Sequence, residues 1–369
     1  MTPNILTTVF ALSGISGLLA VLLVIAERFL ANYGECKVTI NDDKELIVQG
    51  GSTLLTTLGS EKIFLPSACG GRGTCAYCKC KVVEGAGPVL PTEAPMLTPD
   101  DVKNNIRLAC QVKVKQDFRI EIPEELFNIK EFKSTITSIR DLTYDIKLVR
   151  FELDDPNEIS FKPGQYIQVY TEPYGDVKES ISRAYSIASP HTEKSYIDLM
   201  IRLVPDGICT TWVHQHVSEQ QRVKLVGPMG DFYVRDGDGE MIMIAGGSGM
   251  APFVPILHDM KNRGVKRKVT YFFGAVSKRD LFYIDEMKAL EQELADFTFV
   301  PALSEPAPDD NWDGETGLIT QPLANYIRER DMSNAHAYLC GSPGMIHACI
   351  IILNKYGITE DRIFFDPFS

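Results

Sequence analysis

"SACGGRGTCAYCKC", residues 67–80, sets four cysteines among glycines, one arginine and almost no large apolar side chain. A stretch this open makes a poor hydrophobic core, so its thiols are read as ligands. Cys69, Cys75 and Cys78 follow Cys-x5-Cys-x2-Cys, and Cys110 stands further along in "RLACQV". Three thiolates on a glycine-rich loop plus one remote thiolate describe the ligand set of a 2Fe-2S cluster. The glycines belong to the same chemistry: small residues let backbone N–H groups turn toward the cluster sulfides and stabilise negative charge there. The spacing is one residue longer than the plant-type Cys-x4-Cys. Structural zinc is the rival reading, but zinc sites usually pair two Cys-x2-Cys knuckles, and here only Cys75 and Cys78 form one. A merely reactive, unmetallated loop is the other. Cys80, two positions past the third ligand, is read as a buried neighbour pointing the other way on a strand.

The flanks suit such a loop. "ECKVTI" and "KELIVQG" alternate around "NDD" at 41–43 as a hairpin, "STLLTTL" at 52–58 forms a short helix, and "DFRIEIP" at 117–123 supplies a closing strand. Residues 34–127 therefore read as a β-grasp-like 2Fe-2S ferredoxin domain.

With 369 residues the chain holds several domains, and its net charge of −12 argues against nucleic acid, which needs a basic surface. An acidic surface is compatible with a redox protein that docks on basic patches, and equally with simple solvation. Nine cysteines, an odd number, disfavour a disulfide framework in a reducing compartment. No charged side chain occurs from Thr2 to Ala26, and residues 5–26 would span about 33 Å as a helix, enough for a bilayer core of roughly 30 Å. Residues 1–33 are thus expected to be a single transmembrane anchor; a cleaved signal peptide would need a basic start and a small-residue cleavage site, and neither is evident. Arg28 and Lys37 follow the span, which places the remaining domains in the cytoplasm.

Beyond residue 127 the pattern turns β-rich. "FKPGQYIQVY" at 161–170 puts Pro-Gly before an alternating strand, and "SRAYSIAS" at 182–189 sets Arg183 and Tyr185 on one face of a strand and Ser186 on the other. An arginine forks onto phosphate while a tyrosine packs flat on a ring; a surface arginine on an ordinary strand would look the same. "DGICTTW" at 206–212 brings a glycine to a helix start that suits a diphosphate, and "VGPMGDF" at 226–232 reads as a tight turn. The third region, "EMIMIAGGSGMAPFVPIL" at 240–257, is a buried strand, a glycine-rich turn and a helix starting at Ala251 or Pro252. Further apolar strands, "KVTYFFGA", "FTFVPALS" and "AHAYLCGS", alternate with helical stretches as in a doubly wound parallel sheet. The turn is not G-x-G-x-x-G and no acidic residue closes "KVTYFFGA", so an ordinary dinucleotide-binding dehydrogenase is disfavoured. His214 and His216 in "WVHQHV" are read as surface residues.

"RAYS", "GGSGMAP" and "LCGSP" in this order resemble the ferredoxin-NADP reductase superfamily. With the N-terminal span and 2Fe-2S domain, and with "SKRDLFY" at 277–283, "DNWDGETGLI" at 310–319 and the terminal "FFDPFS", nearly the whole chain is similar to the F subunits of the sodium-translocating NADH:quinone oxidoreductases. The resemblance implies a multidomain α+β and α/β chain: anchor 1–33, ferredoxin domain 34–127, antiparallel FAD-binding β-barrel 128–236, and doubly wound NAD(H)-binding domain 237–369. It implies that Arg183, Tyr185 and Ser186 bind FAD and that Gly207, Ile208, Cys209 and Thr210 meet its diphosphate. Gly246, Gly247, Gly249, Met250, Ala251 and Pro252 would cradle the phosphates of NADH. Ser186, Cys340 and Asp366 would surround the reacting rings, with Phe368 covering the flavin. Two departures, Ser342 where the family pattern has proline and Pro367 before the stacking aromatic, bear on nicotinamide docking. Ser277, Lys278 and Arg279 lie where a 2′-phosphate could bind, so NADH over NADPH rests on the resemblance.

The function so implied is an electron-input subunit, moving hydride from NADH to FAD and single electrons to the cluster and on to membrane subunits of a quinone-reducing, sodium-pumping complex in the bacterial inner membrane. The alternatives are the reductase component of an oxygenase or reductive activation system, and a non-catalytic tethering subunit.

Overall fold

The computed structural model of the chain describes residues 3–30 and 33–368, with side chains of the N-terminal helix described at 9–22. The chain divides into two units, residues 1–67 with 71–128, and residues 68–70 with 129–369.

Helix α1 (Pro3–Leu30) covers the expected anchor, but among the described residues no helix is long and apolar enough to cross a membrane. The ends of the expected span lie outside the described side chains. The large apolar side chains that are described are exposed, Phe10, Leu12, Ile15, Leu18 and Leu22 among them.

The rest of the first unit is a five-stranded sheet in the order β2-β1-β5-β3-β4. Its members are β1 (Glu35–Ile40), β2 (Lys44–Gln49), β3 (Lys79–Glu84), β4 (Ile106–Leu108) and β5 (Phe118–Glu121), with α2 (Leu54–Ser60) and α3 (Pro99–Lys103) between them. The β1–β2 hairpin turns through Asn41 and Asp42, both at positive φ, a conformation that Asn and Asp tolerate better than other side chains. Val38, Ile40, Leu54, Leu108 and Ile120 are fully buried beneath the cysteine loop.

In the second unit, β6 (Lys130–Asp141), β7 (Ile146–Asp155), β8 (Tyr166–Tyr170), β9 (Ser182–Ser186), β10 (Tyr196–Arg202) and β11 (Arg222–Met229) form an antiparallel sheet in the order β10-β7-β6-β11-β8-β9, with α4 (Ile208–Gln215) after β10. A bridge between Ile187 and Leu199 joins its two ends, so the sheet curls into a nearly closed barrel around Phe132, Phe151, Ile167, Leu199, Trp212 and Leu225. The stretch read as a tight turn, Val226–Met229, instead continues β11 through a bulge; the chain turns only at Gly230, whose φ of +101° favours glycine.

The third sheet is wholly parallel. β12 (Met241–Gly246), α5 (Phe253–Asn262), β13 (Val269–Ala275), α6 (Ile284–Glu293), β14 (Phe297–Leu303), β15 (Glu315–Thr316), α7 (Thr320–Ile327), β16 (His336–Gly341), α8 (Pro343–Lys355) and β17 (Ile363–Pro367) give the strand order β15-β14-β13-β12-β16-β17. Alternation sorts "MIMIA" onto two layers: Met241, Met243 and Ala245 pack with α5 and α6, whereas Ile242 and Ile244 pack with α7 and α8. Strands buried on both faces explain the unbroken apolar runs in the sequence. The order reverses at β12, between β13 and β16, and in such sheets ligands bind at the carboxyl edge of that reversal. Helix α5 begins at Phe253 and not at Ala251 or Pro252, because Gly247–Met250 first form a tighter 3-10 turn.

Candidate functional site

The cysteine loop feeds directly into β3, which pairs with β4 in the register Lys79 to Leu108 and Cys80 to Arg107. Just past that ladder, the Ala109 N–H donates to the Cys78 carbonyl at 2.9 Å, which brings Cys110 alongside Cys78. The two thiols hydrogen-bond each other, and with burial this pushes the Cys78 thiol well above its ordinary range; Cys75 adds to the repulsion. Loading a cluster there must displace those protons, so assembly releases acid. Cys69 and Cys110 are buried and Cys75 is half-buried. Cys69 falls with residues 68–70, which group with the second unit. Gly73 sits at a φ of +79°, and a Cβ there would lie 2.6 Å from Gln111 Nε2, whose amide donates to Cys110 Sγ at 3.5 Å. Among the described residues no three His, Cys, Asp or Glu side chains form a single-ion cage. A two-iron cluster does not require one, since its donors divide between two irons, and the Cys78–Cys110 pair with Cys75 beside it fits that division. Cys80 is buried as expected, its thiol pushed up to about 12 by burial.

An ion pair that the sequence reading missed lies behind Cys110. Glu93 and Arg107 are both buried; Glu93 Oε1 accepts from Arg107 Nε at 2.8 Å and from its Nη2, and Arg107 also donates to the carbonyls of Gly87 and Pro88. Glu93 further accepts the backbone N–H groups of Leu90 at 2.8 Å and Leu108 at 3.2 Å. The pair thus pins the loop before α3 to β4, the strand that leads into Cys110. The only trace of it in the sequence is an arginine three residues before that cysteine.

On the barrel, β9 pairs with β8 so that Ser186 faces Tyr166 and Arg183 faces Val169. The Tyr185 hydroxyl is buried with no hydrogen-bond partner, an arrangement that fits a bound polar ring system. Arg183 donates to the Ser182 carbonyl at 2.6 Å. Gly207 caps α4, but the side chains after it face inward: Thr210 Oγ1 donates to the Gly207 and Val204 carbonyls, and Cys209 Sγ to the Ile181 carbonyl at 3.4 Å. His214 Nε2 lies 3.0 Å from the Ile201 carbonyl, and the His216 ring packs on Tyr174.

In the parallel sheet, Gly246, Gly247 and Gly249 carry the chain from β12 across the carboxyl edge, with Met250 and Ala251 buried and Pro252 leading into α5. A Cβ on Gly249 would stand 2.2 Å from the Cys340 carbonyl oxygen. That neighbour is backbone and has no freedom to move aside. Gly249→Ala is expected to displace the turn and lower kcat/KM for NADH by roughly 10²-fold, read by rapid mixing with flavin content matched to the parent.

Three candidates converge on that edge. Cys340 and Asp366 are opposite each other in the β16–β17 register, and Ser186 Oγ donates to Asp366 Oδ2 at 3.4 Å. Burial pushes the Asp366 carboxyl up to about 6, against the Ser186 hydrogen bond; burial and then the Asp366 charge push the Cys340 thiol well up, so it stays neutral. Phe368 follows, its N–H donating to the Gly341 carbonyl at 3.0 Å. The two departures have local causes: Ser342 caps α8, its hydroxyl accepting the Met345 N–H at 3.4 Å, and Pro367 ends an edge strand, where a missing donor is tolerated.

A carboxyl raised in the folded state binds its proton more tightly than the unfolded chain does, so its share of stability is present at low pH and is lost as pH rises from about 4 through 6. Asp366→Asn is therefore expected to raise Tm relative to the parent at pH 8 and to lose that advantage at pH 4, as melting curves at the two pH values would show.

An iron–sulfur loop, a flavin barrel and a nucleotide sheet on one chain define a flavin- and iron–sulfur-dependent NAD(P)H oxidoreductase. Family models agree with each part: a 2Fe-2S iron-sulfur cluster binding domain matches residues 38–115, an oxidoreductase FAD-binding domain 133–233, and an oxidoreductase NAD-binding domain 243–350. The F subunit of the Na(+)-translocating NADH-quinone reductase of Psychrobacter cryohalolentis is 35% identical, over 96% of this chain and 96% of that protein. The chain belongs to the family of these F subunits, and its cofactors are FAD, a 2Fe-2S cluster and NADH. Among solved structures, an Amycolatopsis cytochrome P450 reductase shares the fold, with a TM-score of 0.73 and 24% identity over 90% of this chain and 98% of that one. A ferredoxin reductase of carbazole 1,9a-dioxygenase gives a TM-score of 0.69 and 26% identity over 91% and 99%.

Proposed function

We propose that the chain is the electron-input subunit of a membrane-bound, sodium-translocating NADH:quinone oxidoreductase. The observation that carries this reading is the convergence of Ser186, Cys340 and Asp366 with the Gly246–Gly249 turn at the carboxyl edge of the parallel sheet. FAD, when bound, links a donor that gives two electrons together to a cluster that takes one at a time. The protein supplies orientation and electrostatics. Arg183 and the first turn of α4 would hold the flavin diphosphate, Tyr185 would pack on its ring, and the glycine turn would hold the nucleotide phosphates. Cys340, neutral and fully buried, offers a dry wall beside the nicotinamide. Asp366, half protonated near pH 6 and bonded to Ser186, holds a proton at the reacting edge. Cys69, Cys75, Cys78 and Cys110 would hold the cluster.

Helix α1 is the membrane attachment in this reading. Large apolar side chains at 9, 10, 12, 15, 18, 19, 21 and 22 are all exposed, which disposes them around the whole helix, as lipid contact requires and water disfavours. The membrane subunits of the complex would then take electrons from the cluster. Isolation of the chain from alkaline-washed membranes, together with polytopic subunits that reduce quinone on addition of NADH, is the expected result. Recovery in the wash, alone and reducing only a soluble oxygenase partner, would favour the second reading, an oxygenase reductase, which the likeness to the dioxygenase reductase supports.

A further inference from the structure

Gln111 follows the remote cysteine, and its side chain folds back against the cysteine loop. Gly73 makes room for it: a Cβ there would lie 2.6 Å from Gln111 Nε2, 3.1 Å from Cδ and 3.6 Å from Cγ. In that space the amide donates from Nε2 to Cys110 Sγ at 3.5 Å. The main chain beneath is tied on both sides. The Gln111 and Val112 N–H groups both donate to the Leu108 carbonyl, at 2.9 and 3.2 Å, while the carbonyls of Ala109 and Val112 accept the N–H groups of Leu55 and Leu54 at 3.0 and 2.8 Å. The end of β4 and the start of α2 therefore fix the segment from which the amide reaches. Glutamine side chains mostly turn to water, whereas this one is half-buried with its donor directed at a buried sulfur.

A donor aimed at a ligand sulfur favours the state in which that sulfur carries more negative charge, and reduction of a cluster adds such charge. We propose that Gln111, seated by Gly73, sets the potential of the 2Fe-2S cluster from the Cys110 side, raising it so that the single electron supplied by NADH through the flavin is more readily accepted. No bond forms or breaks in this step; one electron moves and the amide stays neutral. Gln111 acts through Cys110 and touches no substrate, so it is a positioning residue. The proposal rests on the reading of Cys110 as a ligand and deepens it.

The test is an EPR-monitored redox titration of the full chain with flavin and cluster loaded, with the flavin midpoint as internal reference and with iron, sulfide and Tm measured on each variant. Gln111→Met, close in shape but without a donor, is expected to lower the cluster midpoint and shift the electron equilibrium about tenfold toward the flavin, the worth of one hydrogen bond to a charged group. That shift is about 59 mV for one electron, and the flavin midpoint should stay where it was. Gln111→Glu, which sets a carboxylate in place of the donor, should lower the cluster midpoint further. Gly73→Ala should lower it in the parent and leave it unchanged when added to Gln111→Met, because a displaced amide and a missing one are the same loss. If the glutamine variants hold iron at the parental midpoint, or if Gly73→Ala shifts it equally with and without Gln111, the side chain only fills space and the proposal is wrong. Loss of iron from both glutamine variants would make Gln111 part of the scaffold and equally overturn it. A parental cluster signal in Cys110→Ala would instead sink the ligand reading, and the proposal with it.

Discussion

Cys110→Ala is expected to abolish the EPR signal of the reduced cluster and to slow NADH-driven reduction of a one-electron acceptor by more than about 10²-fold, while bleaching of the flavin by NADH continues. The magnitude follows from ligation. Loss of a residue that merely orients a metal ligand costs about 10–100-fold in affinity or activity, and loss of the ligand itself exceeds that. The thiol has no substitute nearby: its hydrogen-bonded neighbour is Cys78, another expected ligand, and the extra cysteine, Cys80, lies on β3 opposite Arg107. Flavin reduction is spared because Arg183, Tyr185, Ser186, Cys340 and Asp366 all belong to the second unit. A cluster signal of undiminished size in Cys110→Ala would remove Cys110 from the ligand set.

The second large effect is on stability. Glu93→Ala leaves the Arg107 guanidinium buried with only two carbonyl partners and strips the Leu90 and Leu108 N–H groups of their acceptor. Breaking a buried pair by removing one member costs about 3–5 kcal/mol, a large part of the roughly 5–15 kcal/mol that holds a domain together. The first unit is therefore expected to melt at a much lower temperature, with loss of the cluster, in thermal and denaturant unfolding. Replacing both Glu93 and Arg107 by apolar residues of similar volume should restore most of the stability, since the loss arises from the stranded charge. Equal destabilisation by the single and double changes would show that the hydrogen bonds to Leu90 and Leu108, and not the charge, are what matter.

Much of this was legible in the sequence because the signals are local. The hairpin around residues 41–43, the buried apolar run "MIMIA" and the glycine turn each depend on a few neighbouring residues, and each formed where expected. The boundaries that moved did so through the backbone: a 3-10 turn delayed α5 to Phe253, and a bulge extended β11 through Met229. Cys209 and Thr210 illustrate a different limit, since a motif gives the position of a turn but not which of its side chains face inward. The ion pairs were out of reach for a third reason. Glu93 and Arg107 lie 14 residues apart, Asp145 and Arg202 lie 57 apart, and only strand pairing brings each pair together. The Ser186–Asp366 contact, across 180 residues, was accessible only through the resemblance of whole modules.

The central claim is that electrons enter from NADH at the parallel sheet and leave singly through the cysteine loop. An anaerobic titration of the purified full chain with NADH, following flavin absorbance and the cluster EPR signal together, tests it most directly. The account predicts that NADH bleaches the flavin and that a one-electron cluster signal then appears. A flavin that bleaches with no cluster signal, in protein shown to carry iron and sulfide, would contradict it.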